Sequence, residues 1–219
     1  MRPSKVHIGE VIRNAVAFDF KNSGGEIMNA DSLPGTVERF FRLLHGRGID
    51  YLLVGGIAML GYVEGRNTED IDVILAASDL ENLPEVSVEE RDTNFARGAF
   101  EGLRVDMLLT ANPLFAEVRR NHATNVRFVE REVPCATVEG LLLLKLYALP
   151  SLYRSGDFAR VGIYENDVAV LMEAYEPEMA PILDGLSGHV SAADLISIRD
   201  IVSDVRRRIE RFRNGGGDS

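Results

Sequence analysis

Tyr51-Leu-Leu-Val54 runs straight into Gly55-Gly56, and this junction constrains the fold of the chain more than any other stretch. A short apolar run cut off by paired glycines reads as a buried strand entering a tight turn. Ile57 to Tyr62 reads as a short helix behind it, Ile71 to Leu75 as the next strand, and Leu103 to Leu109 as another, with a further strand through Phe95 to Phe100. Ahead of the junction, Val37, Phe40, Phe41 and Leu44 lie on one side of a helix that follows the break Ser32-Leu33-Pro34-Gly35. Strands and helices so mixed predict an α/β (α+β) fold with a small mixed sheet and flanking helices.

Past Thr110 the pattern changes. Ala111 to Arg120 reads as helix, Val126 to Val129 as a last strand, and everything after Thr137 as helical. Thr137 opens a helix through Leu141–Leu149, Asn166 or Asp167 opens another, and Ser191 to Phe212 forms a long final one. The expected organisation is an amino-terminal arm over residues 1–35, with a short helix where Ile8, Val11, Ile12 and Ala15 recur. A mixed αβ core over 36–135, a helical region over 136–213 and a flexible tail over 214–219 follow.

With 46% apolar and 26% charged residues, the composition excludes collagen-like, low-complexity and wholly disordered chains. The single cysteine, Cys135, allows no intrachain disulfide, which suits a reducing compartment. No run approaches the roughly 20 apolar residues of a membrane span, and the charged first residues do not read as a signal peptide. The expected location is the cytoplasm, with no membrane partner. A net charge of −10 repels polyanions on average. Its distribution is uneven: Glu64 to Asp92 carries a net of −8, whereas Arg199 to Arg213 carries +3.

The acids have a spacing. Asp70 and Asp72 sit two apart on a predicted strand, so both carboxylates leave one face. Carboxylates side by side repel unless protonated or bridged by a cation, and hard divalent ions such as Mg²⁺ take oxygen ligands together with substrate phosphates. Asp106 is the only acid in the apolar strand Leu103 to Leu109. Beside the Asp70–Asp72 strand it would complete a three-carboxylate site for two metals roughly 3.5–4 Å apart; otherwise it is an edge residue facing water. Gly55-Gly56 would let backbone N–H groups approach an anion.

Paired glycines, then Asp-x-Asp, then a later strand aspartate resemble the nucleotidyltransferase fold of the DNA polymerase β superfamily. Within it, Gly55-Gly56-Ile-Ala, Arg66-Asn-Thr68, Asp70-Ile-Asp72 and Lys145-Leu-Tyr-Ala148 are similar to the AbiEii/MenT-type toxins of abortive-infection and toxin–antitoxin systems. Of the arginine and Lys-Asp-x-x-Asp-Leu segment that follow in that family, this chain has Arg160 and, in Ile163-Tyr-Glu-Asn-Asp167-Val, Asp167. The resemblance covers about residues 36–172. It implies transfer of a nucleotide from a nucleoside triphosphate, ATP among the candidates, to an acceptor hydroxyl with Mg²⁺ or Mn²⁺ as cofactor. Asp70, Asp72 and Asp106 would be the catalytic and metal-ligating residues. Gly55, Gly56, Arg66, Thr68, Lys145 and Asp167 would be the nucleotide-binding ones. It also implies a tRNA or other RNA end, or a protein, as acceptor, and a cognate antitoxin as partner.

Other readings stay open. Lys145 can bury its stem and keep its ammonium wet, Asp167 can open a helix, and Thr68 can support the turn rather than touch substrate. The four histidines share no ligand spacing, and neither a P-loop nor a dinucleotide fingerprint is present. Arg119-Arg120-Asn-His122 and Arg206-Arg-Arg208 are solvated helix faces or RNA contacts. The alternative functions are nucleotidyl transfer to a small molecule of the aminoglycoside type, and a non-catalytic nucleotide- or partner-binding module.

Overall fold

The computed structural model describes residues 6–18, 33–64, 68–129 and 131–215. The chain divides into two compact units, Met1–Ala136 and Thr137–Ser219.

The first unit is built on a seven-stranded mixed sheet. Its strands are β1 (Leu52–Val54), β2 (Asp70–Leu75), β3 (Ser87–Arg91), β4 (Phe95–Phe100), β5 (Leu103–Leu109), β6 (Ala123–Arg127) and β7 (Glu132–Ala136). They lie in the order β3-β4-β5-β2-β1-β7-β6. β2 and β5 run parallel at the centre, β1 is antiparallel to β2, and β7 is parallel to β1.

Alternation divides the sheet faces. Ile71, Val73, Val105, Met107, Ala96 and Phe100 are buried on one side, where α2 (Leu33–Gly46) packs through Phe40, its ring centroid 5.5 Å from that of Phe100. α1 (Ile8–Phe18), in the segment expected as an arm with a short helix, buries Ile8 and Ile12 completely. Gly9 lets it approach α2 closely, because a Cβ there would lie 2.3 Å from Pro34 Cα. The short α3 (Gly55–Met59) follows β1 without a gap, and α4 (Pro113–Asn121) is capped by the Asn112 side chain, which accepts from the Leu114 N–H.

Two strands, β3 and β7, were not legible in the sequence. All five residues of β3 are exposed at a sheet edge, so no hydrophobic alternation marks it. β7 contains Pro134, a residue that ordinarily argues against an interior strand.

The second unit consists of α5 (Val138–Ser155), α6 (Phe158–Tyr175), α7 (Met179–Ser187) and α8 (Ala192–Gly215). Leu146, Leu149, Val168, Leu171, Ile198 and Val205 form its core. Thr137 caps α5 by accepting from the Gly140 N–H at 3.3 Å. The expected helix start at Asn166 or Asp167 is displaced: both lie inside α6, which begins after Asp157. Gly156, at φ +71°, ends α5 in the left-handed conformation, and Asp157 then caps α6 by accepting from the Arg160 N–H. Among the described residues no helix is long and apolar enough to cross a membrane.

Candidate active site

The face of the sheet opposite α2 carries the acids. Parallel pairing of β2 with β5 sets Asp72 directly opposite Asp106 and Asp70 opposite Arg104. In-register neighbours share a face, so Asp70, Asp72 and Asp106 project from the same side.

The glycine junction packs onto this row. Gly55 adopts φ +62°, and a Cβ on it would fall 1.8 Å from Asp72 Oδ2. The Gly56 N–H donates to the same oxygen at 3.4 Å. A Cβ on Gly56 would lie 2.5 Å from Thr68 Oγ1, and that hydroxyl donates to Asp70 Oδ1 at 2.8 Å. The two glycines thus leave room for Asp72 and for the threonine that orients Asp70. Gly55→Ala should be costly twice over: left-handed backbone penalises a side chain by about 1–2 kcal/mol, and the methyl group displaces Asp72. Denaturant unfolding should show at least that loss. If Gly55→Ala has parental stability, the close approach does not exist.

Each of two carboxylates has an arginine. Arg97, on β4, faces Asp106 across the antiparallel β4–β5 ladder. Its Nε donates to Oδ1 at 2.8 Å and its Nη2 to Oδ2 at 3.0 Å, a two-pronged contact on a residue only 8% exposed. These hydrogen bonds hold the guanidinium charged far above its ordinary range; burial opposes them, and the charges of Asp106, Glu90 and Asp70 add to them. Arg104 is looser: its Nε lies 3.9 Å from Asp70 Oδ2, and its Nη2 donates to Glu69 at 3.4 Å.

Gly55, Gly56, Thr68, Asp70, Asp72 and Asp106 are therefore brought together in the first unit. Arg66 lies outside the described residues. Lys145 and Asp167 are brought together in the second unit, 4% and 2% exposed. Lys145 Nζ lies 2.7 Å from Asp167 Oδ2 and 4.2 Å from the centroid of the Tyr164 ring. A phosphate contact by Lys145 would have to compete with this pair. Removing one member strands a buried charge and should cost about 3–5 kcal/mol. Lys145→Met should therefore unfold at clearly lower denaturant, whereas Lys145→Met/Asp167→Leu should recover much of the loss. Equal stability of the single and double variants would count against a buried pair.

Arg97 is the site residue that sequence reasoning missed. In the sequence the dipeptide Glu101-Gly102 marks a turn only weakly; in the fold both residues have positive φ, as a two-residue hairpin turn requires. Such a turn pairs Phe100 with Leu103 and, counting back, Arg97 with Asp106.

The donor set suits a hard divalent cation, because Asp70 and Asp72 offer carboxylate oxygens on one face beside a glycine cradle that side chains would fill. Among the described residues, no three His, Cys, Asp or Glu side chains are grouped to hold a metal ion. A cation at Asp70 and Asp72 would draw its remaining ligands from water and substrate phosphates, as Mg²⁺ commonly does.

No family model matches the chain, and no curated protein matches it. Solved structures do. An antigenic nucleotidyltransferase-like protein from Paracoccidioides brasiliensis is similar over 77% of this chain and 92% of its own, at 17% identity and a TM-score of 0.47. The antibiotic-resistance factor ANT(2'')-Ia in solution is similar over 84% of this chain and 97% of its own, at 13% identity and a TM-score of 0.45. The same protein crystallised with adenylyl-2''-tobramycin covers 78% of this chain and 95% of its own, at 13% identity and a TM-score of 0.44. At such identities and scores none of these likenesses assigns an activity to this chain.

Proposed function

We propose that the protein is a nucleotidyltransferase that moves a nucleoside monophosphate from a nucleoside triphosphate to an acceptor hydroxyl. The observation that carries this reading is the placement of Asp72 opposite Asp106, with Asp70 alongside, on one face of parallel strands.

In this reading Asp70 and Asp72 hold the divalent cation, Mg²⁺ or Mn²⁺, that neutralises the triphosphate when bound. Thr68 orients Asp70 through its hydrogen bond, and Gly55 and Gly56 keep side chains away from the donor. Arg66 is assigned to the donor phosphates. The acceptor oxygen forms a bond to the α-phosphorus, the bond from that phosphorus to the pyrophosphate oxygen breaks, and pyrophosphate leaves. Asp106 stands on the acceptor side and takes the hydroxyl proton. Little covalent chemistry falls to the protein, so positioning and charge neutralisation dominate.

The resemblance of Gly55-Gly56, Arg66-Asn-Thr68, Asp70-Ile-Asp72 and Lys145-Leu-Tyr-Ala148 to AbiEii/MenT-type toxins supports an RNA end, above all tRNA, as acceptor, and an antitoxin as partner. The arginines of α8 are candidates for the RNA contact. The test is incubation with each α-labelled nucleoside triphosphate and total tRNA. Label entering tRNA with release of pyrophosphate supports the proposal. Label entering tobramycin and not tRNA replaces the acceptor with a small molecule. Binding of triphosphate without pyrophosphate release under any acceptor would overturn the enzyme reading in favour of a binding module.

A further inference from the structure

The geometry points to Arg97 as the resident counter-charge of Asp106, a positioning residue that keeps Asp106 out of the ligand set of the cation held by Asp70 and Asp72. The inference rests on the nucleotidyltransferase reading and refines it: the carboxylate row divides into a cation half and an arginine half.

The register of the sheet sets the division. Across β3, β4, β5 and β2, the residues Glu90, Arg97, Asp106 and Asp72 stand in one row. Charge along the row runs negative, positive, negative, negative. Arg97 engages both oxygens of Asp106. It is steadied from the other side by Glu90, whose Oε2 lies 3.6 Å from Nη1, and by the Phe95 ring, whose centroid is 5.4 Å from Cζ.

A guanidinium stays ionised at any physiological pH and its fork matches a carboxylate. A divalent cation approaching Asp106 would therefore meet a fixed positive charge on the same oxygens, in surroundings where charges interact more strongly than in bulk water. Asp70 presents no such obstacle, because Arg104 reaches it at 3.9 Å from a half-exposed side chain. The same Arg97 pairing offsets the repulsion between Asp106, 8% exposed, and its register neighbour Asp72. In this proposal one cation and one arginine stand in place of two metals shared among Asp70, Asp72 and Asp106.

The test is Mn²⁺ titration of the ligand-free protein, followed by the electron-paramagnetic resonance of free Mn²⁺. It compares the parent, Asp106→Asn, Arg97→Gln and the double variant, with thermal unfolding as a check on folding. The parent should bind one Mn²⁺, and Arg97→Gln/Asp106→Asn, which removes the opposed charges together, should change its affinity by less than about threefold, half a logarithmic unit. Arg97→Gln should bind Mn²⁺ about tenfold more tightly or take a second ion, because Asp106 becomes available. That gain should vanish in Arg97→Gln/Asp106→Asn, whereas a merely structural arginine would show no such dependence on Asp106.

Weakening of parental Mn²⁺ binding by tenfold or more in Arg97→Gln/Asp106→Asn would overturn the inference and leave nucleotidyl transfer standing. That arm removes both charges of the pair and so decides the matter even if Arg97→Gln alone does not fold. A folded Arg97→Gln with parental affinity and stoichiometry would overturn it equally. If neither the parent nor Arg97→Gln takes up Mn²⁺, the inference is overturned, while nucleotidyl transfer, in which the triphosphate brings the cation to Asp70 and Asp72, is left standing.

Discussion

Replacing Asp70 and Asp72 together by Asn is expected to abolish both cation binding and nucleotidyl transfer while leaving the sheet intact. Both side chains lie on the less buried face of β2, and Asn preserves their shape. An ion that binds only the folded protein at a hundred times its dissociation constant stabilises it by about 2.7 kcal/mol. The parent should therefore unfold at higher temperature in Mn²⁺, and the double variant should not. Transfer should drop by about a thousandfold or more, since the neutralisation a metal supplies is worth several kcal/mol and each 1.36 kcal/mol is a factor of ten. A double variant that responds to Mn²⁺ as the parent does would remove the proposed site.

The second large effect belongs to Asp106. Asp106→Asn retains one oxygen to accept from Arg97 but gives up a charge and the capacity to take a proton. Affinity for the triphosphate with its cation should stay within about threefold, while the rate of transfer should fall by about a thousandfold. That split marks a group used mainly in the transition state. Single-turnover measurement at saturating triphosphate separates the two quantities. In cells, the parent expressed without a partner should arrest growth if it acts as a toxin, and Asp106→Asn should not. An Asp106→Asn protein with parental transfer rate would end the mechanism built on this carboxylate.

The carboxylate row was legible wherever side-chain direction followed a local period. Asp70 and Asp72 share a face because strand side chains alternate, and no tertiary contact is needed to know it. Asp106 was conspicuous as a charge in an apolar strand. The reading of Asn166 or Asp167 as a helix start failed for a complementary reason. Helix-capping residues are common inside sequences, and the left-handed turn at Gly156 that makes Asp157 the cap is a backbone property with a weak compositional mark. The edge strand β3 escaped for want of a buried side: strand periodicity is a record of burial, and a fully exposed strand keeps none.

From the sequence alone follow the strand ending in Gly55-Gly56, the acid pair on one face of β2, the lone acid of β5 and the helical character of everything past Thr137. Each depends on contacts within a few residues. Three matters were decided only by the tertiary structure: that β2 and β5 are neighbours with Asp72 opposite Asp106, that Arg97 grips Asp106, and that Lys145 pairs with Asp167. Parallel strands are joined by long connections, so their register is set by the packing of the whole sheet rather than by any turn. Nor does a charged residue's spelling say whether it will meet water or another charge; burial decides that, because an ion removed from water must find a partner of opposite sign.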